Sequence, residues 1–235
     1  MKNLQKTAIA GSLLLVTAVA VADDKSPVVG NVAFTSDYVW RGWSQTAEDP
    51  ALQGGFDYAH PGGFYLGVWG SNVDFQVQAA DDAQLEVDVY GGYKIKAGSL
   101  DMDVGVIHYA YPGAAGSLDY DWTEVYAGVG VGGFGAKLWY TNDYTGTSDD
   151  SAYYLEANYG MDLGQGFGLG LHVGRSDGDF FDGGFDQTDY SVSLSKTFGG
   201  VGFKLSIMDT DTDAEIKSGP FANDGRVVLT VSKSM

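Results

Sequence analysis

Cysteine is missing from the 235 residues, and with it go disulfide scaffolds, zinc–thiolate sites and thiol nucleophiles. Positive charge is scarce. Thirteen Lys and Arg stand against 31 Asp and Glu, a formal net charge of −18, so no basic patch exists to meet phosphates and nucleic acid is excluded as a partner. Proline occurs only 5 times and no strict Gly-x-y period is present, which excludes collagen although 35 residues are Gly. After residue 22 no stretch approaches the ~18 apolar residues a spanning helix needs, and no amphipathic 3.6-residue pattern occurs. What the chain does have is aromatic and apolar weight: 14% aromatic residues, 15 of them Tyr, which is too much for a disordered chain.

The first 22 residues read as a removable secretory signal peptide that directs Sec export. Lys2 and Lys6 form a positive n-region, residues 7–21 an apolar h-region, and Ala20-Val21-Ala22 a small-x-small cleavage site. Its removal takes away two Lys and no acid, so the charge of −18 becomes −20 for residues 23–235, which form a single domain.

Period-two alternation dominates that domain. In Leu85-Glu86-Val87-Asp88-Val89, and again in Val201-Gly202-Phe203-Lys204-Leu205, one parity is apolar and the other charged or small. A helix would scatter these charges round its axis, whereas a strand collects them on one side. Twelve such segments are expected near 31–43, 51–59, 64–71, 84–96, 100–111, 120–130, 134–142, 152–162, 167–175, 188–198, 201–208 and 226–234. Their lengths bracket the ~9–11 residues of a tilted strand crossing a bilayer. The links alternate short (60–63, 97–99, 131–133, 163–166, 199–200) and long (44–50, 72–83, 112–119, 143–151, 176–187, 209–225). One rim of tight turns and one of hydrated loops, with an even strand number, is the signature of an all-β, transmembrane antiparallel up-and-down β-barrel.

The two parities then acquire meanings. Tyr38, Trp40, Tyr58, Phe64, Tyr93, Phe134, Tyr140, Tyr159, Phe167, Tyr190 and Phe203 are expected on the lipid-facing side as an aromatic girdle. Asp37, Arg41, Asp57, Glu86, Asp88, Lys94, Asp101, Asp103, Glu124, Lys137, Glu156, Arg175, Lys204 and Arg226 are expected to line the lumen, because so many charges can share a wet channel but not a dry core. The acidic long loops and the lumen acids Asp37, Glu86, Asp88, Glu124 and Glu156 would favour cations. Two readings of the lumen stay open. It conducts, or opposite charges such as Asp37 or Glu86 with Arg41, Lys137 or Arg226 pair across it and plug it, since twelve strands lie between filled eight-stranded and open 16-stranded barrels.

The opening residues 32–46, which include Asp37-Tyr38-Val39-Trp40-Arg41-Gly42-Trp43, together with Pro50-Ala51-Leu52-Gln53-Gly54-Gly55-Phe56-Asp57-Tyr58, resemble the start of the TorF-type porins. Val104-Gly105-Val106-Ile107-His108-Tyr109 and Ser195-Lys196-Thr197-Phe198-Gly199-Gly200 are similar too. The resemblance implies a Gram-negative outer-membrane channel for small hydrophilic solutes or cations. Its expected partners are outer-membrane lipid, lipopolysaccharide and the barrel-insertion machinery.

No catalytic set emerges. Asp209, Asp211, Asp213 and Glu215 begin a D-x-D-x-D run, but an EF-hand would need Gly and Glu where Ala214 and Pro220 stand. Gly128 to Gly133 matches G-x-G-x-x-G yet leads into a strand pattern, so it has no helix N-terminus for a dinucleotide. His60, His108 and His172 are isolated in sequence, and no metal, cofactor or enzymatic activity is expected.

Overall fold

A computed structural model describes residues 27–76, 83–114, 120–146, 149–182 and 186–235. The expected signal peptide lies outside the described residues. Twelve antiparallel strands close into one barrel: β1 (Val28–Thr35), β4 (Ala51–Ala59), β5 (Phe64–Asn72), β6 (Leu85–Ala97), β7 (Leu100–Ala110), β8 (Trp122–Val131), β9 (Phe134–Thr141), β10 (Ala152–Gly164), β11 (Phe167–Asp177), β12 (Gln187–Phe198), β13 (Val201–Asp211) and β14 (Arg226–Ser234). Each pairs with its sequence neighbour, and β1 meets β14 through the register Asn31↔Ser234 to Thr35↔Thr230. Full closure leaves no unpaired edge. Two further strands, β2 (Val39–Trp40) and β3 (Trp43–Ser44), form a small hairpin apart from the wall.

The short links are built from residues that accept positive φ. Gln165-Gly166 and Gly199-Gly200 carry φ of 54° and 78°, and 60° and 79°, the left-handed pair that a two-residue hairpin of matching twist requires. The long links lie together at the opposite rim, where two contain single 3-10 turns, Tyr144–Gly146 and Asp179–Phe181.

Alternation along the strands sorts side chains as expected. Val, Leu, Ile and Phe residues such as Leu52, Phe56, Ile207 and Val227, each more than 60% exposed, point outward all round the wall. So wide an apolar surface is stable only where something apolar covers it. Tyr58, Phe64, Tyr93, Phe134, Tyr159, Phe167 and Phe203 lie on this outer face toward the short-turn rim, with Phe64 opposite Tyr93 and Phe134 opposite Tyr159. Tyr140 and Tyr190 lie toward the other rim. Lys196, also outward, rests its ammonium 3.8 Å from the centre of the Phe167 ring.

Three positions depart from the sequence expectation. The first strand ends at Thr35 rather than continuing to residue 43, and Tyr38 and Trp40 turn into the barrel instead of joining the girdle. Tyr38 and Val39 are 1% and 2% exposed, so neighbouring residues of both parities are buried and alternation ceases to tell wall from interior. Arg175 shares its parity with Phe167, Leu171 and Val173 in an unbroken β11, so it points outward near the long-loop rim, where it pairs with Asp186 and not with the lumen.

Candidate functional site in the lumen

Chain leaving β1 at Ser36 stays tied to the wall by two bonds, Ser36 N–H to the Leu229 carbonyl at 2.9 Å and Leu229 N–H to Ser36 Oγ at 3.0 Å, and then enters the barrel. The hairpin β2–β3 turns at Arg41-Gly42, with φ of 47° and 86°. This is the two-residue turn in which both residues are left-handed. Gly42 tolerates it freely, whereas an arginine there costs about 1–2 kcal/mol. A Cβ at position 42 would also fall on the Thr210 methyl, so only glycine fits. The turn thus places a strained arginine at the tip of a segment inserted into the lumen.

Wall residues hold that segment on several sides. Both guanidinium NH2 groups of Arg41 donate to Glu124, at 2.8 and 2.7 Å, and the two side chains are 5% and 1% exposed. The Arg41 carbonyl accepts from the Gln187 amide at 2.6 Å. Asp37 accepts from Arg226 at 3.0 Å and from Ser44 at 2.7 Å, and the Tyr38 hydroxyl donates to Glu86 at 3.0 Å. Burial, followed by the charge of Glu86, pushes the Tyr38 phenol well above its ordinary value, so it remains a donor. Burial opposes the charge on Arg41, but the Glu124 carboxylate outweighs it and holds the guanidinium charged. Backbone bonds fix the rest: Ser44 exchanges two with residues 221–222, and the Asp74 N–H donates to Gln45.

Around this plug the lumen is filled with aromatic rings. Tyr109 stacks on Trp122 with centroids 4.6 Å apart, Trp122 meets Tyr144 at 4.7 Å, and Trp40 lies among all three. Toward the long loops Phe75 stacks on Phe221 at 5.1 Å and touches Tyr111 and Tyr120. Residues from three long links therefore meet in an apolar seam. Inward glycines make room for wall tyrosines: a Cβ at Gly174 would fall on the Tyr154 hydroxyl, and one at Gly67 on the Tyr90 ring.

The charged residues expected in the lumen separate into layers. Glu86, Asp88 and Glu124 are almost wholly buried beside the plug. Toward the short-turn rim, Asp103 pairs with Lys137 at 3.3 Å and accepts from Tyr65 at 2.8 Å, Asp57 accepts from Tyr90, and Lys94 rests on the Tyr65 ring at 4.9 Å. Lys204 also points inward, on β13. Asp101, at the rim itself, is exposed and pairs with Lys96 at 2.9 Å.

Sequence reading missed one further group. His172, on β11, points inward with its Nε2 2.8 Å from Asp189 and 3.0 Å from the Tyr154 hydroxyl, and its Nδ1 2.8 Å from the Asn158 side-chain oxygen. Glu156 lies beside it and accepts from Trp139 Nε1 at 2.9 Å. Asp189 falls in the expected strand 188–198, where its neighbour Tyr190 on the outer face already implies that it points inward. A cavity of about 40 Å³ adjoins this network, lined by Trp40, Arg41, Trp139, Tyr154, Glu156 and Asp189 among others. His108 lies on the outer face, bonded to Thr123 at 2.9 Å.

The family model described as "Bacterial protein of unknown function (Gcw_chp)" matches residues 20–235. No curated protein matches the chain. Among solved structures, the chain is similar to the KdgM porin in complex with disordered oligogalacturonate, at 10% identity and a TM-score of 0.54 over 88% of this chain and 99% of that one. It is likewise similar to the NanC porin, at 10% identity and a TM-score of 0.55 over 87% and 97% of the two chains. At such identity these likenesses show the twelve-stranded barrel fold.

Proposed function

We propose that this chain, which belongs to the Gcw_chp family of bacterial proteins, is an outer-membrane channel for small hydrophilic solutes, selective for cations and closed at rest by its own first long loop. The observation that carries the reading is the inserted Arg41 turn. A wall that needed only to be filled could use apolar side chains, whereas this lumen is stoppered by a separable segment held through ion pairs. The apolar outer belt with aromatics toward both rims fits a bilayer. The resemblance to TorF-type porins and the barrel fold shared with KdgM and NanC point the same way. Outer-membrane lipid and lipopolysaccharide would surround the barrel, and the removable leader would bring it through the Sec route to the insertion machinery. Cation preference follows from Glu156 and Asp189 beside the plug and from the acidic long loops, because fixed charge of one sign at a narrow passage concentrates its counter-ion.

Thr35 pairs directly with Ala51, so the wall stays intact if residues 37–48 are replaced by Gly-Gly. Refolded wild type and this variant would be recorded in planar bilayers under a salt gradient. The expected result is rare small openings for wild type and long, larger, cation-selective steps for the variant. Silence from both in folded, inserted protein would overturn the channel reading in favour of a non-conducting barrel that binds or anchors at the surface. Anion-selective steps would overturn the cation preference alone.

A further inference from the structure

The environment of the Arg41 side chain is built like a receptor. Its guanidinium carbon lies 4.3 Å from the centre of the Trp40 ring, 4.4 Å from that of Tyr154 and 5.7 Å from that of Trp139. Glu124 closes the cage with two parallel bonds, and its Oε2 accepts a further one from Tyr109 at 3.0 Å, which orients the carboxylate. A planar fork matched to a carboxylate and covered by aromatic faces selects guanidinium over a compact ammonium, and the rings add attraction for any cation that sheds water to enter. Four of the five groups, Tyr109, Glu124, Trp139 and Tyr154, stand on wall strands and not on the plug. The adjoining cavity of about 40 Å³, room for roughly three waters at 10–15 Å³ each, has Glu156, Asp189 and Asp224 in its lining.

We infer that the wall carries a binding site for small guanidinium-bearing cations, and that Arg41 occupies it as a tethered stand-in for the solute. A free solute of this class competes with Arg41 for Glu124 and the aromatic faces. Its binding therefore favours withdrawal of the hairpin, and the permeant and the opening signal are one molecule. The reading deepens the channel proposal and rests on it for its transport meaning, but the site itself is testable without any current.

The probe is N-methylguanidinium, titrated by calorimetry into detergent-refolded full-length protein whose folding is checked by its gel mobility before heating. Arg41→Ala empties the cage and should bind the probe saturably, at least tenfold tighter than wild type and tenfold tighter than methylammonium. Adding Glu124→Gln to that variant should weaken binding at least tenfold. No saturable binding to folded Arg41→Ala, or binding that Glu124→Gln leaves unchanged, overturns the site. Arg41→Gln serves as the second variant. Should neither fold, the wild type decides: millimolar N-methylguanidinium must quench tryptophan fluorescence saturably while sodium chloride of equal ionic strength does not, and equal effects overturn the site. Binding without currents in bilayers would refute the channel and keep the site, whereas currents without binding would do the reverse.

Discussion

Glu124→Gln is the sharpest perturbation of the plug. The substitution keeps the size of the side chain and removes its charge, while Arg41 retains a guanidinium only 5% exposed. Breaking a buried ion pair from one side costs about 3–5 kcal/mol, because the remaining charge is left uncompensated in a poorly hydrated site. That cost falls on docking of residues 36–50 and not on the barrel, since the ladders of β8 with β7 and β9 do not involve the carboxylate. At about 1.4 kcal/mol per factor of ten, the undocked population rises roughly a hundredfold to several thousandfold. Single-channel open fraction in planar bilayers reads this directly, and limited proteolysis within 36–50 reads it without current. The double replacement Arg41→Met with Glu124→Leu should restore much of the closed state, since a buried pair exchanged for apolar groups is often neutral or stabilising. An open fraction and a proteolysis rate both unchanged in folded Glu124→Gln protein would refute the latch.

Other consequences are independent of that pair. Gly42→Ala meets the Thr210 methyl and a φ of 86°, so it should loosen the hairpin by about 1–2 kcal/mol and speed proteolysis of 36–50 about tenfold with the barrel intact. Gly174→Val displaces Tyr154 from His172 and Asp189 and should cost about 1–3 kcal/mol by overpacking, seen as a lower temperature of gel-mobility conversion; an unchanged temperature counts against a filled lumen. Asp189→Asn with Glu156→Gln, made in the plug-deleted background, should move the reversal potential toward zero if the lumen acids set the cation preference. Arg175→Ala should leave ion preference unchanged, because the side chain lies outside the barrel.

How much of this was legible beforehand depended on whether a segment touches two different environments. Strands β4 to β14 of the wall have an exposed apolar face on one side and the lumen on the other, so period two marked them to within a few residues, and glycine pairs such as Gly199-Gly200 marked the tight turns. Asp57, Glu86, Asp88, Asp103, Glu124, Lys137 and Glu156 point inward, as their parity required. The Arg175 assignment failed by a slip of parity that the strand itself already contradicted. Residues 36–50 were different in kind. Tyr38 to Arg41 alternates as a wall strand would, yet it is surrounded by protein on all sides, and the left-handed Arg41-Gly42 turn was the only local sign of a reversal.

The sequence by itself determined the barrel, its two rims and its two faces, because these depend on short-range alternation and turn chemistry. The tertiary structure alone decided that the lumen is stoppered, that Arg41 meets Glu124 across 83 positions of sequence, and that Tyr154, His172 and Asp189 converge. Such contacts are set by which strands stand opposite one another across the closed ring and by where an inserted loop comes to rest. Neither leaves a periodic trace in the residues that make them.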